Sequence, residues 1–306
     1  MVRYRKAPQN PNIQDRRGMG GSRTGRRVAL GGGGIGLGTL AIILLLNVCA
    51  GGGLGDLGGL AGELVPVDEP PRTPLTTISP ANDPDAELKE YMEAVYADND
   101  LLWQDVFAQA GRQDYQSPQF VFFEGFTDSG CGGADERVGP HYCPLDGTMY
   151  LDFTFFTQLR EQFGARGDLA PAYVISHEFG HHIQTLLGIS EQVRGLQQEN
   201  PGQANDLSIA MELQADCFAG VWLSTVSVDP SGGEVDEGFI EIDPGELREA
   251  MEAAQAVGDD RIQAQATGMV NPETWTHGSA EQRSEWLQRG IDSGDPGQCD
   301  TFSQLG

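Results

Sequence analysis

The chain has 306 residues, of which 39% are hydrophobic and 21% charged, so it can bury a sizeable core. It carries 45 acidic and 19 basic residues, a formal net charge of −26. Eight of the basic residues and one acid lie in residues 1–27, so the remaining 279 residues hold 44 acids against 11 bases, a net charge of −33. A protein that tracks phosphates needs the opposite sign. We therefore expect no nucleic-acid partner.

Residues 28–50 form an uncharged run of 23 residues that ends in a strongly apolar stretch. About 20 mostly apolar residues suffice to cross a bilayer as a helix. The basic residues 1–27 precede this run, and the positive-inside bias predicts that they stay in the cytoplasm while the rest is exported. A cleaved signal peptide is the alternative, but no clear small-x-small cleavage site follows. The sequence thus predicts a single-pass protein of the cell membrane, with the lipid bilayer as a partner and the C-terminal domain extracytoplasmic.

The remainder divides into a tether and a domain. Residues 51–84 are rich in glycine and proline, which predicts a flexible tether, and a globular domain is expected over 85–306. Short aromatic and branched runs at 120–123 and 149–151 predict a small β-sheet. Apolar residues at helical spacing, several runs being closed by glycine, predict helices over 85–110, 153–164, 170–187, 204–226, 244–257 and 279–290. The expected fold class is α+β and predominantly helical, behind an N-terminal transmembrane helix.

A metal-binding motif lies in the predicted helix 170–187. His177 and His181 are four residues apart, so their imidazoles project from one helix face, as two ligands of one zinc ion require. Glu178 follows the first histidine and can lean toward a metal-bound water. The His-Glu-x-x-His pattern is short enough to recur by chance in unrelated chains. A third ligand elsewhere would therefore strengthen the prediction.

A pair of carboxylates on the predicted helix 204–226 supplies that ligand. A catalytic zinc ion takes three protein ligands and leaves one position for water, so Glu212 is predicted as the third ligand. Asp216, one turn further on, is predicted to accept a hydrogen bond from a ligand histidine and fix its orientation. The alternative is a solvated acidic face. Apolar neighbours argue against it, since a buried carboxylate needs a partner: Ile209, Met211, Leu213, Ala215, Phe218, Ala219, Val221 and Trp222.

The five cysteines also carry information. Cys49 lies in or at the predicted membrane segment, which leaves four in the exported domain and three possible pairings. The short loop favours Cys131 with Cys143, and the remainder would join Cys217 to Cys299. Export permits disulfides. Cysteine-ligated zinc is the alternative, but no C-x-x-C spacing occurs.

The combination of HEFGHHIQ at 177–184 with ELQAD at 212–216 resembles the Glu-zincin metallopeptidases. The wider chain is similar to a bacterial family of neutral zinc metallopeptidases, the YpfJ-like proteins. That resemblance covers roughly residues 85–302 and rests also on Cys131-Gly132, GPHYCP at 139–144, YLD at 150–152, GVW at 220–222 and THGSAEQR at 276–283. It implies a zincin-like fold in which His177, His181 and Glu212 bind one Zn²⁺ and Glu178 is the general base.

These residues together predict metal-assisted hydrolysis of peptide bonds in a peptide or protein substrate. Glu178 would take a proton from the zinc-activated water and pass it to the leaving amine. His277, Tyr142 and Tyr173 are candidates for stabilising the oxyanion or contacting the substrate. The alternative is a non-enzymatic, zincin-like envelope scaffold that binds a partner and retains a structural zinc. Such a zinc is usually closed by four protein ligands, and the sequence makes a clear case for three.

Overall fold

Helices dominate the computed structural model, which describes residues 2–18, 82–135, 138–156, 169–226, 238–243 and 245–305. Small β-sheets complete the fold, so the predicted α+β, mainly helical class is confirmed. The predicted helix 153–164 is described only over 153–156, which are helical. The other helices are α1 Ala86–Gln109, α2 Leu169–Leu186, α3 Ile189–Glu199, α4 Ala204–Thr225, α5 Leu247–Ala256, α6 Asp259–Thr267 and α7 Ala280–Ser293.

The strands form one main sheet and two smaller ones. They are β1 Arg3–Tyr4, β2 Ile13–Asp15, β3 Gln119–Phe123, β4 Phe126–Ser129, β5 Gly132–Asp135, β6 His141–Cys143, β7 Thr148–Asp152 and β8 Ile240–Glu241. The main sheet has the order β2-β3-β7-β6, in which β2, β3 and β7 are parallel and β6 is antiparallel to β7. Strands β4 and β5 pair antiparallel, as do β1 and β8. Strands β3 and β7 contain the two runs that predicted the sheet.

The hydrophobic core lies between the main sheet and the helices. Side chains alternate along β3, so Phe120 and Phe122 enter the main core while Val121 and Phe123 join a smaller cluster on the opposite face. Helices α2 and α4 are buried over most of their length. A helix that is apolar on nearly all sides belongs in a core. The two helices that carry the predicted metal ligands are therefore interior elements.

Two glycines let the interior helices approach closely. A Cβ added to Gly180 of α2 would lie 2.8 Å from the Ala215 Cα of α4, closer than real Cβ atoms come. A Cβ on Gly290 of α7 would overlap the carbonyl oxygen of Cys217 on α4. The backbones of α2, α4 and α7 consequently pack against each other near the predicted ligands.

The N-terminal residues 2–18 belong to this folded unit. Strand β2 pairs with β3 of the main sheet, and β1 pairs with β8. The sequence had instead predicted a separate cytoplasmic segment over 1–27 and a domain that begins at residue 85. The observed unit differs because the partners of these short strands lie more than 100 residues further along the chain, where no local pattern indicates them.

The predicted transmembrane helix 28–50 lies outside the described residues, as do Cys49 and most of the predicted tether 51–84. Among the helices that the structure does describe, none has both the length and the apolar character needed to cross a bilayer.

Candidate metal centre

Helices α2 and α4 bring His177, His181 and Glu212 together. One ligand atom from each lies within 4.8 Å of the others. The Nε2 atom of His177 is 3.1 Å from Glu212 Oε2, and the Nε2 atom of His181 is 3.4 Å from Glu212 Oε1. The histidines share one face of α2, and the close approach at Gly180 brings the carboxylate of α4 to that face.

The geometry and charge of this group fit a zinc ion. Ligand atoms about 2.0–2.1 Å from a tetrahedral zinc lie about 3.3–3.4 Å from one another, close to the separations from Glu212 to the two imidazoles. Glu178, Glu212 and Asp216 contribute three carboxylates, and Arg283 contributes one guanidinium. With neutral imidazoles these groups leave two uncompensated negative charges, which a divalent cation would balance.

Asp216 orients the first histidine. Its Oδ1 atom is 2.8 Å from His177 Nδ1 and accepts a hydrogen bond of 2.6 Å from the Tyr173 hydroxyl. An ionised carboxylate can only accept, so Nδ1 of His177 must donate. With Nδ1 committed to Asp216, Nε2 faces Glu212 Oε2 at 3.1 Å and is the atom that would exchange its proton for a metal ion. The structure thus places Asp216 where the sequence predicted an orienting carboxylate.

The same carboxylate binds Arg283, which the sequence analysis did not identify as a site residue. The Nε atom donates to Asp216 Oδ2 at 2.8 Å, and Nη2 donates to Oδ1 at 3.0 Å. Nη2 also lies 3.9 Å from Glu212 Oε2, and the Arg283 side chain is only 4% exposed. A capping box between Ser279 and Gln282 begins α7 one turn before Arg283. The THGSAEQR stretch indicates this helix start, because [ST]-x-x-Q is a capping box, but it does not show which helix Arg283 contacts.

A chain of side-chain amides orients the second histidine. His181 Nδ1 lies 2.9 Å from Gln184 Oε1, and Gln184 Nε2 donates to Met211 O at 2.7 Å and to Gln214 Oε1 at 3.1 Å. Gln214 in turn donates to the carbonyl oxygen of Cys299 at 2.9 Å. Since an amide oxygen accepts, Nδ1 of His181 donates and Nε2 is left for a metal. The C-terminal segment is thereby connected to a predicted ligand.

Glu178 lies next to the ligands without taking part in their hydrogen bonds. It is buried, and its Oε2 atom has no hydrogen-bond partner among the described residues. A buried polar atom without a protein partner indicates a site for water or a ligand. This carboxylate therefore has an oxygen available to a water molecule held at the group of three ligands.

Electrostatics keep Glu212 and Asp216 ionised. Burial raises the pKa of Glu212, but His181, His277 and His177 outweigh it and hold this pKa well below its usual range. Burial also raises the pKa of Asp216, but Arg283 and His177 have a larger opposite effect, so this pKa is lowered. Burial lowers the pKa of His177, yet Asp216 and Glu212 dominate and raise it to about 10.

Beside this centre, a loop presents His277. The backbone N–H groups of Thr276, His277 and Gly278 donate to Asp259 Oδ2 at 2.8, 2.7 and 3.2 Å. The ring Nδ1 of His277 lies 3.4 Å from Asp259 Oδ1. Gly278, at φ +88°, would place a Cβ in tight contact with α4 at Ile209 and Leu213, which flank Glu212. The loop that presents His277 is thus anchored on a carboxylate, and the charge of His277 helps to lower the pKa of Glu212.

The other predicted candidates have different contacts. The Tyr173 hydroxyl is committed to Asp216. The Tyr142 hydroxyl lies 3.2 Å from His182 Nδ1, and His182 Nε2 lies 2.6 Å from the carbonyl oxygen of Gln116, so these two residues join α2 to the strand β6 and the loop before β3. His277 is the candidate that the structure leaves beside the metal centre.

Both predicted disulfides are present. Cys131, between β4 and β5, is bonded to Cys143 at the end of β6, and Cys217 of α4 is bonded to Cys299 near the C-terminus. In the second bridge, Cys217 lies one residue after Asp216 on α4. This bridge therefore connects the C-terminal segment to the helix that carries Glu212.

Comparison with known proteins extends over almost the whole chain. The sequence profile of the family described as "Putative neutral zinc metallopeptidase" matches residues 2–302. The uncharacterized protein YpfJ of Escherichia coli strain K12 is 41% identical over 308 residues, covering 99% of each chain. The uncharacterized protein Rv2575 of Mycobacterium tuberculosis strain H37Rv is 48% identical over 193 residues, 62% of this chain and 64% of its own. No solved structure matches this chain. The family match includes the N-terminal strands, whereas the resemblance in the sequence began near residue 85.

Proposed function

The chain belongs to this family of neutral zinc metallopeptidases, and from that premise we propose that it hydrolyses peptide bonds in peptide or protein substrates. The observation that carries the proposal is the buried oxygen of Glu178, which has no protein partner and lies beside two histidines and a glutamate with the spacing of zinc ligands. A scaffold with a structural zinc would not need a free carboxylate there.

The residues of the proposed site have three roles: metal binding, orientation of the ligands and proton transfer. His177, His181 and Glu212 would hold one Zn²⁺, with Asp216 and Gln184 fixing the two imidazoles. Zinc in this position supplies a Lewis acid toward the scissile carbonyl and a water of lowered pKa. Glu178 accepts the proton of that water and delivers it to the leaving amine. Because these side chains lie on interior helices, their positions are set before a substrate arrives.

His277 completes the proposed site as a donor to the oxyanion or as a substrate contact. Its support is the position next to Glu212 and the anchoring of its loop on Asp259. Burial raises the pKa of Asp259, but the hydrogen bond and charge of His277 outweigh this and lower it. Asp259 faces Nδ1 and holds the imidazole in one orientation, so the ring can donate to an oxyanion through Nε2 only when both nitrogens carry a proton.

We also propose that this activity is located outside the cytoplasm, at the cell membrane. Two disulfides support an oxidising compartment. The uncharged run of 23 residues at 28–50 supports attachment to the bilayer.

The test uses the purified full chain, in detergent, with an unfolded protein or a peptide library as substrate. Glu178→Gln removes the base but keeps the shape of the side chain and all three ligands. We expect zinc content near one per chain in both proteins and a loss of about 10²–10⁴-fold in kcat in the variant, the usual contribution of a positioned base. A chelator should abolish cleavage by the wild type.

Glu249→Gln, on α5, serves as the matched control and should leave cleavage unchanged. Wild-type protein that carries zinc but cleaves none of the library would favour the scaffold. Undiminished cleavage by Glu178→Gln would rule out this carboxylate as the base.

A further inference from the structure

The N-terminal segment 2–18 forms an edge strand of the peptidase domain. Ile13, Gln14 and Asp15 pair in parallel with Phe120, Val121 and Phe122 of β3. The ladder is extended on both sides, since Phe120 N donates to Asn12 O and Arg16 N donates to Phe122 O, each at 2.8 Å. Strand pairing requires a spacing of about 4.7–4.9 Å, so this segment and the domain must be in direct contact.

Arg17 fixes the end of this strand. Its Nη2 atom lies 2.7 Å from Asp15 Oδ2 and 2.6 Å from Asp83 Oδ2, and Nη1 donates to Asp83 Oδ1 at 3.1 Å. The guanidinium lies 4.3 Å from the centre of the Phe153 ring, and the side chain is fully buried. A buried arginine that pairs with two carboxylates holds the end of this strand firmly against the rest of the fold.

A second contact holds the start of the segment. Arg3 of β1 donates to Glu241 of β8 at 2.8 Å, and Arg5 N donates to Phe239 O at 2.8 Å. Ile240 N donates to Asp98 of α1 at 3.1 Å, and the same carboxylate accepts from Trp222 of α4 at 2.9 Å. The first residues of the chain are therefore connected, through β8, to the helix that carries Glu212.

These contacts explain the basic residues of segment 2–18 in a second way, besides the positive-inside bias. Arg3, Lys6 and Arg17 each pair with an acidic residue of the domain. The domain is strongly acidic, so a basic segment complements it electrostatically. The same charges had predicted a cytoplasmic location through the positive-inside bias. A single crossing at 28–50 would put about 30 Å of hydrocarbon between β2 and β3, which is incompatible with their pairing.

We propose that residues 2–18 and the peptidase domain lie on the same side of the membrane and that the segment completes the main sheet. Combined with the proposed extracytoplasmic activity, this locates the N-terminus outside the cytoplasm.

The test compares the accessibility of two engineered cysteines in intact cells. Cys49→Ser provides a background in which the other four cysteines are in disulfides. Gln9→Cys marks the exposed part of the N-terminal segment, and Gln198→Cys marks an exposed position on α3. We expect a membrane-impermeant maleimide to label both cysteines in intact cells to the same fraction of the signal obtained after lysis. Labelling of the Cys49→Ser protein without an added cysteine measures the non-specific signal.

The possible outcomes separate this proposal from the preceding one. Labelling of one cysteine without the other in intact cells would overturn the shared location. Labelling of both only after lysis would retain the shared location and overturn the proposed activity outside the cytoplasm.

Docking of the segment is measured separately by thermal unfolding of the purified full chain. Arg17→Met should lower the midpoint, because it leaves Asp83 buried without its cation, while Lys6→Met removes an exposed cation and should not. An unchanged midpoint for Arg17→Met would contradict docking.

Discussion

The carboxylate of Asp216 accepts hydrogen bonds from His177, Tyr173 and Arg283 with no exposure to solvent. Two parallel bonds from one guanidinium fix both its charge and the plane of its oxygens. His177 therefore depends on Arg283 for its orientation, although the two residues are more than 100 positions apart. Arginine is suited to this position because lysine offers only a point charge and cannot bind a carboxylate through two fixed donors.

Arg283→Lys tests whether the orientation of His177 depends on the two parallel hydrogen bonds from the guanidinium. The variant keeps the positive charge but loses the two-pronged bond, so we expect zinc affinity or kcat to fall about 10–100-fold with KM nearly unchanged. Zinc affinity is measured by competition with a chelator, and kcat by peptide cleavage. Arg289→Lys, on the same helix with its guanidinium over Trp286, is the matched control. Wild-type behaviour of Arg283→Lys would show that charge alone suffices.

His277→Gln tests the proposed oxyanion donor. Glutamine keeps a hydrogen-bonding side chain but loses the ring, which faces Asp259 through one nitrogen and leaves the other for the oxyanion. We expect kcat to fall about 10²-fold, as for the loss of one donor to an oxyanion, while zinc content stays the same because the three ligands remain. Unchanged kcat under saturating substrate would remove His277 from the mechanism.

The sequence identifies part of this centre because spacing within one helix fixes the relation between neighbours. His177, His181, Glu212 and Asp216 follow from i, i+4 positions on helices with an unmistakable apolar pattern. Arg283 was missed because its partner lies on another helix, and no local spacing shows which helices touch. The same holds for Asp259, whose partners lie in the loop 276–278. Gln184 lies only three residues after His181 on α2, but its other partners, Met211 and Gln214, are on α4.

At the scale of elements, helix α4 connects the metal centre to the C-terminus through Cys217. The bridge from Cys217 to Cys299 closes 82 residues. The carbonyl oxygen of Cys299 accepts a hydrogen bond from Gln214, which in turn accepts one from Gln184, the partner of His181. The bridge from Cys131 to Cys143 closes only 12 residues and joins the residue before β5 to the end of β6. The two disulfides therefore have different effects on the metal site.

Replacing Cys217 and Cys299 by serine should reduce both stability and zinc affinity. We expect the free energy of unfolding to fall by about 2–5 kcal/mol. The Cys131→Ser, Cys143→Ser pair is the control, and the loop-closure entropy predicts a cost about 1.7 kcal/mol smaller because its loop is shorter. Denaturant unfolding and chelator competition measure the two effects. Equal zinc affinity in the two double variants would contradict the link from Cys299 to His181.

The elements that the sequence predicted are those with an apolar pattern long enough to recognise. Helices α1, α2, α4, α5 and α7 have such a pattern, with boundaries within about four residues of those expected. Helices α3 and α6 were missed because each buries only one residue, Val193 and Asp259 respectively. The strands β1, β2, β6 and β8 have two or three residues, which is too short for an alternation to be read.

At the scale of the whole molecule, the metal centre lies where the interior helices α2 and α4 meet, so metal binding and global folding are coupled. A ligand that binds only the folded state stabilises it by RT ln(1 + [L]/Kd), about 2.7 kcal/mol at a hundredfold excess over Kd. The proposed zinc should therefore raise the unfolding temperature of the entire domain, including the N-terminal strands. A metal that bound the unfolded chain equally well would not have this effect.

The measurement that tests the central claim most directly is zinc stoichiometry combined with thermal unfolding, for the full chain and for Glu212→Gln. We predict one zinc per wild-type chain and an unfolding midpoint that rises with added zinc. Glu212→Gln should lose both, because it removes the ligand contributed by α4. Glu191→Gln, an exposed position on α3, should behave like the wild type. Wild-type protein that binds no zinc, or Glu212→Gln that retains one zinc with the same rise in midpoint, would contradict the account.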